Sequence, residues 1–249
     1  MNPNPTDFNR GAISPMECIK DGWALIKGQY WLFFGITVVG LLIGGLVPIV
    51  LLGPMMVGIF LCLQQRQRNQ PVDFALLFKG FDLFVPSLVV AVLKMIPIFI
   101  LLIPYYIFIF AMMAAMPHGS RSSVEESQRF VFSVLGTELV FVLVIMTVSI
   151  IIEIFFMFAF PLVADRKMSG LDAVKLSFKA SRANMGGLIG LMLLNALFGF
   201  VGVLCCIIGV YFYLPVMIAS QAVAYRRVFP DIGQFGEYPP PPPPQSWAA

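Results

Sequence analysis

Long runs of apolar residues, separated by short polar stretches, dominate this chain. Four such runs cover residues 31–63, 83–116, 130–164 and 187–225. An α-helix of about 20 residues, rising about 1.5 Å per residue, crosses a hydrocarbon core of about 30 Å. Each run is therefore long enough to cross a membrane at least once. We predict an all-α fold, a polytopic transmembrane helical bundle that forms one domain over residues 14–229.

The number of spans depends on where the runs turn. A glycine–proline cluster at residues 44–48 breaks the first run into two short helices, and a glycine-rich stretch at 199–209 does the same in the last run. Each of the two middle runs is either one long kinked helix or a hairpin, and Pro97 and Pro104 interrupt the first of these two. We predict six spans, with eight as the alternative.

An amphipathic basic segment follows the third run, at residues 161–182. On a helix, Leu171, Val174 and Phe178 form an apolar stripe. The opposite stripe is basic and consists of Lys175, Lys179 and Arg182. Ser169, followed by Asp172, is a suitable N-cap for this helix. A helix of this kind lies in the membrane interface, and we expect its basic stripe to lie beside anionic headgroups.

Two earlier segments predict further elbows, which we define as short amphipathic helices that lie in the interface and lead into a span. Over residues 14–30, apolar residues fall on one side and lysines on the other: Met16, Ile19, Trp23 and Ile26, against Lys20 and Lys27. Residues 74–81 form a second candidate elbow. The bundle is thus expected to combine spans with interfacial helices.

The first and last parts of the chain can be aligned with each other, Ser14 with Ser169 and onward. The matched positions are Glu17 with Asp172, Ile19 with Val174, Lys20 with Lys175, Trp23 with Phe178, Lys27 with Arg182, Gln29 with Asn184, Pro54 with Pro215 and Arg66 with Arg227. Both copies begin and end on the same side, so we predict a parallel internal repeat. The alternative is that any two units of an elbow and a hairpin look alike.

Composition and charge agree with a membrane protein. Hydrophobic residues make up 59% and charged residues 12% of the chain, and the mean hydropathy is +0.89. Soluble domains contain about 25% charged residues. The net charge of +3 is small and its Lys and Arg residues lie between the apolar runs, which indicates membrane topology and no nucleic-acid partner. By the positive-inside rule we expect a multi-pass protein of the inner membrane with both termini and the elbow at 161–182 in the cytoplasm.

The order of these segments resembles a known family. The segments concerned are FAFPLVADRKMSGLDAVKLSFKASRAN and the closing PVMIASQAVAYRRVF. They resemble bacterial six-helix inner-membrane proteins of unknown function, and are similar to the membrane domain attached to some glycerophosphodiester phosphodiesterases. The resemblance covers roughly residues 14–229 and implies six spans. No catalytic residues carry over, because the phosphodiesterase chemistry belongs to a separate soluble domain.

The two ends of the chain are polar, and we predict that residues 1–13 and 230–249 are disordered. The C-terminal segment contains six consecutive prolines at 239–244, which form an extended polyproline stretch. Such segments bind aromatic grooves of partner domains. The candidate partner-binding residues are Tyr238, Pro239, Pro244 and Trp247. The alternative is a solvated tail without a partner.

Two ionisable residues lie deep in the apolar runs. Lys94 follows Asp82, and Glu153 precedes Asp165, by twelve residues, so both lie about 18 Å from a boundary and near the middle of the core. An unpaired charge there is costly. We predict that Lys94 and Glu153 are in contact or bridged by water. The pair either fixes the register of the helices or serves a proton or ion relay.

No group of residues typical of catalysis is present in the sequence. The one histidine, His118, lies in a polar stretch, and the cysteines Cys18, Cys62, Cys205 and Cys206 show no metal-ligand spacing. We therefore expect no enzyme, cofactor or metal site. The favoured function is a non-enzymatic membrane protein that organises or assists partners. The alternatives are a small transporter or channel and, less favoured, an enzyme that acts on lipid.

Overall fold

The structure is a computed structural model, which describes residues 7–114, 124–204 and 208–230. These ranges contain helices and no strand: α1 (Pro15–Ile26), α2 (Tyr30–Leu46), α3 (Pro48–Gln67), α4 (Phe84–Ala114), α5 (Val124–Phe156), α6 (Ala159–Arg166), α7 (Gly170–Ala183), α8 (Met185–Leu204) and α9 (Ile208–Val228). Two 3-10 helices, Lys27–Gln29 and Phe74–Leu83, precede α2 and α4. The all-α prediction is confirmed.

Six helical segments of the described chain are long and apolar enough to cross a membrane. They are Pro15–Leu46, Pro48–Gln67, Phe74–Ala114, Gln128–Arg166, Met185–Leu204 and Ile208–Val228. The prediction of a six-span bundle is confirmed, and the alternative of eight spans is wrong. The helix α4 continues through Pro97 and Pro104, because a membrane helix can satisfy locally the backbone groups that a proline frees.

The predicted breaks in the first and last runs are present. α2 ends at Leu46 and α3 begins at Pro48, a position where the fixed φ of proline suits the first turn of a helix. α8 ends at Leu204 and α9 begins at Ile208, and residues 205–207 between them, within the predicted stretch, lie outside the described residues. Short connections of this kind make α2 and α3, and α8 and α9, antiparallel neighbours.

The elements fall into three units, each with a short helical segment followed by two long helices. The short segments are α1, the 3-10 helix Phe74–Leu83, and α7. Each packs on the end of another unit: α1 on α9, the 3-10 helix on α3, and α7 on α4, α5 and α6. The repeat predicted between the first and last parts of the sequence stays a prediction, and the structure adds a middle unit of the same order.

Small residues allow this close packing. A Cβ atom on Gly22 would meet the backbone of Ser220 in α9, 2.8 Å from its nitrogen. A Cβ on Gly58 would collide with the carbonyl of Leu77, and one on Gly80 with the carbonyl of Pro54. The backbones of the short segments and the long helices therefore touch, as they do in membrane bundles built on small residues.

The core lies at one end of the bundle, here called the packed end. It is formed by the last turns of α3, α6 and α9 with the short segments around them, and its fully buried large side chains include Phe33, Phe60, Leu63, Phe158, Leu162 and Tyr225. The opposite ends of the long helices are exposed: Leu46 is 76%, Phe110 77% and Leu204 69% accessible. Among the described residues, protein therefore covers the long helices at the packed end and leaves their opposite ends exposed.

The disorder predicted for residues 1–13 is wrong for residues 9–13, while residues 1–6 lie outside the described ranges. The Asn9 N–H donates to the Val228 carbonyl at 2.8 Å, and the Ala12 N–H donates to Asn184 Oδ1 at 3.1 Å. Ile13 is buried. These contacts order the segment because Asn184, at the end of α7, satisfies its backbone. Residues 231–249, with Tyr238, Pro239, Pro244 and Trp247, lie outside the described residues.

Candidate functional site

The structure brings Lys94 of α4 and Glu153 of α5 together. The distance between Lys94 Nζ and Glu153 Oε2 is 2.6 Å, and their side chains are 18% and 39% exposed. The Phe160 ring lies 6.0 Å from the Lys94 ammonium. Lys94 is ten residues beyond Phe84, the first residue of α4, which places it about 15 Å along that helix. The predicted contact is thus an ion pair between two apolar helices.

A second polar contact joins the same two helices further along. The Tyr105 hydroxyl donates to Glu138 Oε1, and the rings of Tyr105 and Phe141 lie 4.5 Å apart. Sequence reasoning did not pair Tyr105 with Glu138. Equal counting from the ion pair does not find them, because Tyr105 lies eleven residues beyond Lys94 whereas Glu138 lies fifteen residues before Glu153. Two polar contacts therefore hold α4 and α5 together as a hairpin.

The α4–α5 hairpin is much longer than the other helices. Its helices contain 31 and 33 residues, or about 46 and 50 Å, whereas α2 and α9 contain 17 and 21, or about 26 and 32 Å. Its far part is exposed, with Phe110 at 77% and Phe132 at 72%. Between the helices lies an apolar cleft of about 170 Å³ lined by Ile109, Met112, Met113, Phe130, Val131, Val134 and Leu135.

A buried carboxylate joins three helix ends at the packed end. Asp165, in α6, has a side chain only 8% exposed. Arg226 of α9 donates to both of its oxygens at 3.1 Å, Arg68 donates at 2.9 Å, and the Tyr225 hydroxyl donates at 2.9 Å. Sequence reasoning missed this cluster. Asp165 links the ends of α3, α6 and α9, and its role is to hold these ends together.

Two arginines that the predicted repeat aligns both bind the first unit. Arg227 donates to Glu17 at 2.7 Å and to Asp21 at 2.8 Å. Arg66 donates from Nε to the Leu25 carbonyl at 3.1 Å. Both acids of α1 therefore lie toward α9, and α1 is fixed along its length.

The basic stripe of α7 is exposed as expected, but the predicted arrangement of the helix is wrong. At about 100° per residue, Lys175 and Arg182 lie within about 40° of Leu171, and Phe178 lies beside them. Leu171 and Phe178 are 54% and 47% exposed, and Lys175, Lys179 and Arg182 are exposed too. Apolar and basic residues thus share the outer face.

The inner face of α7 consists mainly of small residues, together with Leu176. The buried positions include Ala173, Ser177 and Ala180. The Ser177 hydroxyl donates to the Phe155 carbonyl at 2.6 Å and accepts from the Phe158 N–H at 3.2 Å. The predicted cap is present, since Ser169 Oγ accepts from the Asp172 N–H at 3.2 Å. Close contact with the bundle selects small residues over most of this face, and Leu176 is the large apolar side chain buried among them.

In the described part of the chain, no group of three or more His, Cys, Asp or Glu residues could hold a metal ion. Cys18 and Cys62 are buried in the core, and His118 lies outside the described residues. The expectation that the protein needs no cofactor stays a prediction.

Comparison of the chain with protein-family models, curated proteins and solved structures found no match. The resemblance to six-helix inner-membrane proteins and to the phosphodiesterase-attached domain therefore stays a prediction. The architecture defines the class to which the chain belongs, a multi-pass all-α membrane protein with six spans.

Proposed function

We propose that this protein is a non-enzymatic protein of the inner membrane that organises or assists a partner membrane protein. The observation that carries the proposal is the α4–α5 hairpin. Its two helices are about 46 and 50 Å long, and their far parts are exposed and apolar. The ion pair Lys94–Glu153 and the Tyr105–Glu138 hydrogen bond join the helices, so their outer surfaces are free for a partner.

The length of the hairpin supports a protein partner. A helix longer than a core of about 30 Å must tilt strongly or project beyond the core. The other long helices, α2, α3, α8 and α9, are about 26 to 32 Å long and fit the core without such a tilt. The packed end fixes α4 beside α3, which restricts the tilt. Apolar side chains that project beyond lipid need cover by protein.

Site-specific photo-crosslinking in native membranes tests this proposal. A photoreactive amino acid at Phe110 or Phe132 of the hairpin is expected to give a discrete protein adduct. The matched control is the same amino acid at Leu46, which is equally exposed at 76% but lies at the end of a short helix. Adducts to lipid alone at all three positions, or the same protein adduct at Leu46, would contradict the proposal.

The proline-rich segment is a second proposed partner site. Its support is the run of six prolines with the flanking aromatic residues Tyr238 and Trp247. Co-purification with the full chain and with a chain lacking residues 236–249 tests it. We expect the shortened chain to lose at least one partner, and an unchanged set of partners would remove the segment from the proposal.

A small transporter or channel is the alternative function. The ion pair Lys94–Glu153 favours it, because ionisable residues within membrane helices mark ion and proton pathways. Its test is flux of protons and inorganic ions through the protein in liposomes. Transport that Glu153→Gln abolishes would favour this alternative, whereas liposomes as tight as empty ones would favour the organising role.

A further inference from the structure

Two helices of the packed end present outer faces of the same composition. The α1 face consists of Met16, Lys20 and Trp23 with Lys27, the residue that directly follows α1. The α7 face consists of Leu171, Lys175, Phe178 and Arg182. The apolar members are 44%, 47%, 54% and 47% exposed in this order, and the basic members are exposed as well. Large apolar side chains at such exposure, alternating with cations, are unusual on a surface that meets water only.

Both faces have the same geometry. Their residues follow each other at intervals of four, three and four positions, which on a helix keeps them within about 60° of one line. The order along each line is apolar, basic, apolar, basic. The two faces are therefore equivalent in position as well as in chemistry, although they lie on different units of the bundle.

Neither face is directed at the protein core. α1 is buried through Cys18 and Gly22 on its other side, and α7 through Ala173 and Ser177. Lipid or another molecule must cover the large apolar residues of both faces.

The acids of these helices are engaged elsewhere. Glu17 and Asp21 pair with Arg227, and Asp172 accepts a hydrogen bond of 2.7 Å from Ser169 Oγ at the start of α7. Two basic side chains remain on each face without an acid between them. Each face is therefore complementary to an anion that lies beside apolar chains.

The surroundings of both faces fit the membrane interface. The ring of Trp23 lies 5.6 Å from that of Tyr30, which in turn lies 5.6 Å from Trp31 at the start of α2. The ring of Phe178 stacks at 4.2 Å on Phe155, close to the end of α5. Aromatic residues at the ends of spans are typical of the headgroup level.

We infer that the α1 face and the α7 face each bind an anionic phospholipid. The two basic side chains of a face contact the phosphate of the headgroup, while the large apolar side chains lie among the upper parts of the acyl chains. Both faces lie outside the α4–α5 hairpin, so this inference holds or fails independently of the proposed protein partner.

Quenching of tryptophan fluorescence by brominated lipids tests each face separately. The full chain with Trp31→Phe and Trp247→Phe keeps Trp23 as the reporter of the α1 face. The chain with Trp23→Phe, Trp31→Phe, Trp247→Phe and Phe178→Trp reports on the α7 face. Each is reconstituted in bilayers that contain brominated phosphatidylglycerol or brominated phosphatidylcholine. We expect phosphatidylglycerol to bind about fivefold more tightly than phosphatidylcholine at each reporter at low salt.

Charge removal on one face should act on that face alone. Lys20→Gln with Lys27→Gln is expected to bring the two lipids to equal quenching at Trp23 and to leave the reporter at position 178 unchanged. Lys175→Gln with Arg182→Gln is expected to bring the two lipids to equal quenching at position 178 and to leave the quenching of Trp23 unchanged. The control pair is Arg10→Gln with Lys79→Gln, which removes two exposed cations from other surfaces.

Three outcomes would overturn the inference. They are equal quenching by both lipids in the parent chains, the same loss with the control pair, and a loss at both reporters when one face is changed. The last outcome would indicate a general effect of net charge. Two measurements establish that each variant is folded. They are elution as a single species in size-exclusion chromatography and an unchanged helical circular dichroism signal.

Discussion

Removal of Lys94 would leave the Glu153 carboxylate among apolar helices. An unpaired charge within a span costs about 2.5 to 3.5 kcal/mol, so Lys94→Met and Glu153→Met should each lower the stability by roughly 2 to 3 kcal/mol. The double variant should recover most of this loss, because it leaves neither charge. Titration of the purified protein with a denaturing detergent measures these differences.

Lys79→Met is the control for the loss of a cation, because Lys79 is exposed on the 3-10 helix Phe74–Leu83; we expect it to lower the stability by less than about 0.5 kcal/mol. Two losses that simply add in the double variant would show that Lys94 and Glu153 are not coupled. In that case the 2.6 Å contact would have no energetic role.

Asp165 is a second residue on which several helices depend. Asp165→Asn would leave Arg68 and Arg226 without their shared carboxylate, and breaking a buried pair costs about 3 to 5 kcal/mol. We expect the loss of stability to lie near the lower end of this range, because the Arg68 side chain is 45% exposed to solvent. Asp82→Asn, at an exposed position, should change the stability little. A thermal unfolding midpoint equal for both variants would contradict this role of Asp165.

At the scale of elements, contact between backbones determines how the units fit. Gly58 of α3 lies against Leu77 of the 3-10 helix, and a Cβ there would collide with the Leu77 carbonyl. Gly58→Ala should therefore lower the stability by about 1 to 3 kcal/mol. Gly136→Ala is the matched control, since nothing lies within 4 Å of its added Cβ. That control should be neutral or slightly stabilising, and equal losses in both variants would refute the argument.

Local signals in the sequence predicted much of the element order. Apolar runs of sufficient length gave the six spans, and the glycine–proline cluster at 44–48 gave the first turn. The predicted separation of an apolar stripe from a basic stripe on α1 and α7 is wrong, because large apolar residues share the outer face of each helix with basic residues. In a membrane, lipid accepts such residues, and small ones such as Gly22 and Ser177 form the contacts between helices.

The Asp165 cluster could not be predicted for another reason. Asp165 is 97 residues from Arg68 and 61 residues from Arg226, and nothing in the local sequence marks these three as neighbours. The ion pair Lys94–Glu153 was predictable because its members lie in adjacent antiparallel spans. There, distance along the chain from a common boundary translates directly into depth.

At the scale of the whole molecule, most of the described basic side chains lie at the same end as the core, and Arg129 at the start of α5 is an exception. The Asp165 cluster, the Arg227 pairs and the basic faces of α1 and α7 all lie at the packed end, whereas the far ends of α2, α4 and α8 are apolar and exposed. By the positive-inside rule this distribution predicts that the packed end faces the cytoplasm. With six spans, both termini lie on that side.

Labelling of single cysteines with a membrane-impermeant maleimide in intact cells tests this orientation. In a chain whose own four cysteines are replaced, Lys175→Cys on the exposed face of α7 should react only after the membrane is permeabilised. Ser120→Cys, between α4 and α5, should react in intact cells, because an odd number of spans separates it from α7. Labelling at Lys175 and protection at Ser120 would reverse the orientation. It would also place the basic faces of α1 and α7 against the outer leaflet, so the lipids available to them would be those of that leaflet.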